Sequence, residues 1–223
     1  RVVENEAFFL SLARTCGFRV PSFEVIRDRD GHSGLLVERF DRAGSGGNVA
    51  RIAQEDACQF LGRWPADKYR VGVNDIAGRM VELASSPQAA VLDLICQVAF
   101  AWVIGNGDLH AKNFSLQWRR DVRVVAPSPV YDIVSTLPYP VDQHLALRID
   151  GRDDSLQGRF LQDFARRHGV PDALVRRRLE RIIARVSQGL PEIATIGFPA
   201  DVTERMAKDI ERRLGVLARF AEG

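Results

Sequence analysis

A predominantly helical α+β fold is predicted for this 223-residue chain by three observations. Most of the sequence beyond Gln54 carries apolar residues at helical spacing. Only a few short stretches alternate in the manner of strands, and they come in pairs joined by polar turns, as antiparallel hairpins do. The second pair is flanked by Asn113 on one side and Asp132 on the other, so closing that hairpin would bring an amide and a carboxylate together.

Taken in order, residues 3–13 set Phe8, Phe9, Leu12 and Ala13 at helical spacing, and the pattern stops at Cys16-Gly17. Residues 22–27 and 34–39 read as strands joined by the turn Asp28-Arg29-Asp30-Gly31. Residues 41–48, rich in Gly and polar side chains, read as a linker. Helices are expected over 55–62, 74–84 and 88–104, with an irregular loop over 64–73. The second hairpin pairs 114–118 with 122–125 across Arg119-Arg120-Asp121, and 145–149 adds one more short strand. Three helices close the chain, over 155–168, 172–188 and 203–220, with Asp172 and Asp201 as expected caps. There is no internal repeat or low-complexity tract.

Apolar content of 46% and charged content of 27% are ordinary for a globular protein, and the length suffices for a substantial core. A formal charge of +2 gives no global argument for nucleic acid. Cys16, Cys58 and Cys96 are odd in number and scattered, which points to reduced, buried thiols and a cytoplasmic setting, not to a disulfide frame or zinc site. The apolar stretch 91–104 is short for a membrane span and is interrupted by Asp93 and Gln97, so a buried core helix and no membrane are expected. The sequence shows no signal peptide, and because it opens at Arg1 without an initiator Met, residues preceding Arg1 are expected in the full protein.

The chemistry concentrates in Asn106-Gly107-Asp108-Leu109-His110-Ala111-Lys112-Asn113 and in Tyr131-Asp132-Ile133. In a phosphotransferase one Asp accepts the proton of the attacking hydroxyl, and an Asn five residues on holds magnesium. A second Asp, returned by a hairpin, bridges metal and nucleotide phosphates. Asp108, Asn113 and Asp132 stand in that relation. The element order is that of a two-lobed, protein-kinase-like fold beginning partway through its small lobe. Residues 1–42 would be the rest of that lobe and the hinge, and 43–223 a helical large lobe with the catalytic hairpin. A Gly-rich phosphate loop and a small-lobe Lys should precede the first helix, and neither is present before Val3. Glu4 or Glu6 is the expected partner of that Lys, and the chain by itself is expected to have little or no kinase activity.

These residues together resemble the HipA family of bacterial serine/threonine kinase toxins. Val37-Glu38-Arg39-Phe40-Asp41-Arg42 is similar to the family's hinge, and Gln54-Glu55-Asp56-Ala57-Cys58-Gln59 to the helix start that follows. Residues 107–115 resemble its catalytic loop and 131–136 its metal-binding motif. The resemblance implies ATP and Mg2+ as cofactors, Asp108 as catalytic base, and Asn113 and Asp132 as metal ligands. It also implies backbone atoms of Glu38 and Phe40 on adenine, Tyr131 beside the base or ribose, and either His110 or Lys112 on the transferring phosphate. In the family the protein substrate can be an aminoacyl-tRNA synthetase. The neutralising partner is a small DNA-binding antitoxin, so DNA is met at most indirectly.

Two other functions compete: a scaffold or corepressor docking an antitoxin, and a small-molecule phosphotransferase. The latter would be favoured by an acidic cleft, for which Asp150, Asp153 and Asp154 are the modest candidates. Residues 54–56 also fit a plain capped helix start. Trp64, Trp102 and Trp118 read as packing residues, the basic run Arg176 to Arg185 as a solvated helix face, and His144 and His168 carry no assigned role.

Overall fold

The structure, a computed structural model, describes residues 1–44, 49–119 and 122–221. Helix α1 (Val2–Cys16) buries Phe9, Leu12, Ala13 and Cys16 and ends at Gly17, whose φ of +94° closes the last turn through Gly17 and Phe18 N–H bonds to Arg14 and Ala13. Strands β1 (Phe23–Arg27) and β2 (Ser33–Val37) pair antiparallel with Val25 opposite Leu35. Their turn forms as the sequence predicts, because Asp28 Oδ1 accepts from the N–H groups of Asp30 and His32 at 2.9 and 2.8 Å.

The expected linker over 41–48 instead opens a small ladder, β3 (Arg42–Ala43) against β4 (Ala50–Arg51). Its residues 45–48 lie outside the described residues, as do Arg120 and Asp121 of the second turn. A second correction concerns the helix predicted over 55–62. Strand β5 (Ala53–Asp56) occupies its beginning, and helix α2 is only Ala57–Phe60. Asp56 is the dividing residue: its extended backbone and its capping box with Gln59, at 3.0 and 2.9 Å, start the helix there and not earlier. The polar run Ala53-Gln54-Glu55-Asp56 hid a strand because its pairing lies far away in sequence, on β6.

Helices α3 (Val73–Leu83) and α4 (Pro87–Ile104) follow, preceded by a 3₁₀ turn at Pro65–Asp67. Strands β6 (Ser115–Arg119) and β7 (Val124–Pro127) complete a three-stranded antiparallel sheet in the order β5-β6-β7, with Trp118 opposite Val125. Helices α5 (Gly158–Arg167), α6 (Asp172–Gly189) and α7 (Ala200–Leu217) end the chain, with a 3₁₀ segment at Leu190–Ile196. Helix α4 is buried nearly all round, packing against α3, α6 and α7, and Trp102, Phe100 and Leu94 are among the largest buried side chains. It is the one described helix long and apolar enough to cross a membrane, and the fold itself covers 72% of that apolar window.

The strand predicted over 145–149 is not formed; only Ile149 bridges Arg152. Leu145, Leu147 and Ile149 do alternate inward and are buried, so the period was real. The segment folds back on itself through Asp150 and Gly151, both at positive φ, and never reaches a sheet. Asp172 and Asp201 are first-turn residues behind Pro171 and Pro199, not caps. Asp172 is bound instead by Arg166. Of the tryptophans Trp102 is buried as expected, whereas Trp64 is 78% exposed and Trp118 about half exposed. The basic run on α6 is mostly exposed, as expected, with Arg176 paired to Glu180 at 3.0 Å.

Candidate active site

Helix α4 delivers the central loop. It stops at Gly105, φ +67°, where any Cβ would stand 2.4 Å from Leu137 Cγ, so the close approach of the two segments requires glycine. Thr136 fastens them: its N–H and hydroxyl both donate to the Gly105 carbonyl at 2.8 Å, and its Oγ1 accepts from Gly107 N–H at 3.0 Å. Buried Asn106 accepts the Asp108 N–H at 3.0 Å, which fixes the backbone under an exposed Asp108 carboxylate.

After Asp108 the chain makes a 3₁₀ turn, Ala111–Asn113, started at His110. Asn113 is buried; its Oδ1 accepts from His110 N–H at 2.8 Å, and its Nδ2 donates to Asp132 Oδ2 at 2.6 Å. The hairpin β6–β7 thus does what its sequence predicted. Ser128 N–H still pairs with Ser115 at 2.8 Å, and Tyr131 donates to the Lys112 carbonyl at 2.5 Å and sits 2.6 Å from Ser115 Oγ. Burial pushes the Tyr131 phenol up to about 12, so it stays a neutral strut. Asp132 has φ +58°, a conformation costly for a residue with a Cβ and held here by its neighbours.

Asn5 holds the next turn. Fully buried on α1, it donates to the Ser135 carbonyl at 2.9 Å and accepts from Ser135 N–H at 3.0 Å. The next residue of the helix, Glu6, lies near Asp132, and burial with that neighbouring charge raises its carboxyl to about 6. Glu4 is spent elsewhere, on the Ser33 hydroxyl at 2.7 Å and Arg1 at 3.5 Å. Of the two candidates for pairing with a small-lobe Lys, Glu6 is therefore the one beside the site, and no cation pairs with it among the described residues.

His110 is buried and Nδ1 lacks a partner; burial, with Lys68 nearby, holds its ring below the usual histidine value. A neutral imidazole suits loop packing better than phosphate contact. Lys112 is half-buried and its ammonium pairs with no carboxylate among the described residues. The hinge candidates also converge. The Phe40 and Tyr131 rings lie 5.6 Å apart, and the Phe40 carbonyl accepts from Gln117 at 3.0 Å. Glu38 N–H is used by Ser22 at 2.8 Å. The Glu38 carbonyl and Phe40 N–H have no partner among the described residues.

Asp108 opens on a groove of about 880 Å³ lined by Tyr69, Gly107, Tyr139, Asp142 and Arg148. Tyr69 was not foreseen; it lies in an irregular loop where nothing in its neighbours marks it. Asn5 left a readable signal, being a polar residue on the helix face that carries Phe9 and Leu12. As to metal, Asp132 and the Asn113 side-chain carbonyl are hard oxygen donors of the kind Mg2+ accepts, with Asn113 Oδ1 also taking the His110 N–H.

This architecture is a protein-kinase-like fold. It superposes on the Helicobacter pylori proinflammatory kinase CtkA with a TM-score of 0.64 over 96% of this chain and 82% of that one, at 12% identity. The family is narrower: the chain belongs to the HipA-like C-terminal domain family, which matches residues 1–192. The serine/threonine-protein kinase toxin HipA of Shewanella oneidensis is 32% identical over 222 residues, 91% of this chain and 51% of the toxin. A Sinorhizobium fredii protein named as a kinase is 35% identical over 198 residues, 85% of this chain and 46% of that protein. The solved S. oneidensis complex of HipA, HipB and operator DNA matches with a TM-score of 0.81 and 27% identity, over 99% of this chain and 57% of that one. The chain spans about half the length of the curated relatives it matches.

Proposed function

We propose that this chain is the catalytic portion of an ATP- and Mg2+-dependent serine/threonine protein kinase of the HipA type. The observation that carries the reading is the 2.6 Å Asn113–Asp132 bond, which joins the loop and the returning hairpin, with Asp108 five residues earlier at the head of an open groove. Asp108 takes the proton of the acceptor hydroxyl. Asn113 and Asp132 hold Mg2+, which when bound neutralises charge on the nucleotide phosphates. The Glu38 carbonyl and Phe40 N–H face adenine, and the Phe40–Tyr131 pair supplies its apolar wall. Lys112 is the cation left for the transferring phosphate, because His110 is buried and neutral. Glu6 has no cationic partner among the described residues, and the chain spans about half the length of its relatives, so the full protein is the species to assay.

By the same resemblance the acceptor is a protein, and a small DNA-binding antitoxin is the regulatory partner. Support for the antitoxin comes from the S. oneidensis structure, whose HipA is seen with HipB and operator DNA. A second reading, a scaffold for such an antitoxin without turnover, draws on Glu6 having no cationic partner among the described residues. The small-molecule alternative is weakened because its acidic cluster is spent: Asp150 on Asn74 and Arg167, Asp153 on Arg148, Asp154 on Trp102. Calorimetry of the full protein with Mg-ATP tests the proposal. Binding should be lost or greatly weakened in Asp132→Asn and kept in Asp108→Asn, whereas equal binding by all three proteins would defeat it.

A further inference from the structure

We propose that Tyr69 is a positioning residue for Asp108, gripping one carboxylate oxygen so that the other is presented to the acceptor hydroxyl; the inference rests on the phosphotransferase reading above. Asp108 is exposed, and an exposed Asp side chain ordinarily samples several rotamers. Its backbone is fixed through Asn106, but its carboxylate has a single hydrogen bond among the described residues, from the Tyr69 hydroxyl to Oδ1 at 2.6 Å. A carboxylate offers about four acceptor sites on two oxygens, so this bond leaves Oδ2 open.

Tyr69 is itself held in place and does not merely drift across the site. The carbonyl of Lys68 accepts from Ala111 N–H at 3.0 Å, which ties the Tyr69 loop to the catalytic turn. The Tyr69 ring meets His110 edge-on with centroids 5.4 Å apart, and the Lys68 ammonium lies 4.8 Å from the ring centre. Tyr69 also walls the groove that Asp108 opens on, so an acceptor entering there passes its hydroxyl. The hydrogen bond to Asp108 raises the phenol above its ordinary value, which keeps the proton on Tyr69 and makes it a donor, never a rival base.

In the step itself, the acceptor oxygen bonds to the γ-phosphorus while the bond from that phosphorus to the β,γ-bridging oxygen breaks. ADP leaves with those electrons, and the acceptor proton passes to Asp108. Tyr69 exchanges nothing; it supplies orientation alone.

Two measurements separate this inference from the kinase reading. In the full protein with radiolabelled Mg-ATP and dephosphorylated casein, Tyr69→Phe should lower kcat about tenfold with KM for ATP unchanged, since one bond to the base is lost and the ring remains. Tyr69→His, which keeps a donor, should recover part of that loss. An unchanged rate in Tyr69→Phe overturns the inference. So does a faster one, which would make Tyr69 a plug in the acceptor's place. Independently of turnover, the phenol signal that vanishes in Tyr69→Phe should titrate at lower pH in Asp108→Asn than in wild type by NMR. An identical titration overturns the contact. Absence of transfer by wild type would instead count against the kinase reading, with the titration still deciding whether Tyr69 grips Asp108.

Discussion

Replacing Asn5 with alanine should destabilise the protein well beyond an ordinary helix-surface change. Asn5 and Ser135 are both fully buried, and two hydrogen bonds at 2.9 and 3.0 Å join the Asn5 amide to the Ser135 backbone. Alanine leaves a buried N–H and a buried C=O without partners, at about 1–3 kcal/mol each, so a total loss of about 2–6 kcal/mol is expected. Against a typical total stability of about 5–15 kcal/mol that is a large fraction. For a domain of this size it corresponds to a fall in Tm of roughly 4–24 °C. Urea unfolding followed by circular dichroism measures it. Asn5→Asp makes the argument specific, since it keeps an acceptor for Ser135 N–H but sets a carboxylate against the Ser135 carbonyl. It should be no better than alanine. Because Ser135 follows Asp132 by three residues, both variants should also weaken Mg-nucleotide binding by the full protein. A loss of less than about 0.5 kcal/mol in Asn5→Ala would refute the reasoning, because such values belong to side chains that hold nothing.

Other consequences can be checked as directly. Gly105→Ala should cost about 2–4 kcal/mol in urea unfolding, from positive φ and from a Cβ 2.4 Å from Leu137, and Leu137→Ala in the same protein should recover part of it; additive losses would contradict the contact. Cys16 and Cys96 are buried with thiols pushed up to about 12, so Ellman's reagent should label them in urea and scarcely at all in the native state; fast native labelling would contradict that. His110 and His168 are held below their ordinary value by burial, so the unfolded chain binds these protons more tightly than the folded one. Their contribution is then whole above a pH of about 6.5 and is lost as pH falls below it, which lowers the urea midpoint between pH 7.5 and 5.5; His168→Gln should flatten that slope.

Helices α6 and α7 were legible because their burial follows the 3.6-residue period of their own sequences, and α4 because its apolar run is long and nearly continuous. The central loop was legible for a different reason: Asp108, Asn113 and Asp132 are close in sequence and joined by a local hairpin, so spacing alone predicted the 2.6 Å contact. What stayed hidden depends on distant partners. Strand β5 is polar and becomes a strand only by pairing with β6, while residues 145–149 alternate correctly but find no neighbouring strand. Tyr69 reaches Asp108 across 39 residues and Asn5 reaches Ser135 across 130, separations that no local pattern encodes. The choice between Glu4 and Glu6 likewise needed the helix to be placed, since only its rotation shows which carboxylate faces Asp132.

The most direct test of the central claim is transfer of the γ-phosphate of Mg-ATP to protein by the full polypeptide, wild type against Asp108→Asn. The account predicts labelling by wild type and a loss of about 10²-fold or more in the variant, with Mg-ATP affinity nearly unchanged. Labelling by Asp108→Asn at the wild-type rate would contradict it.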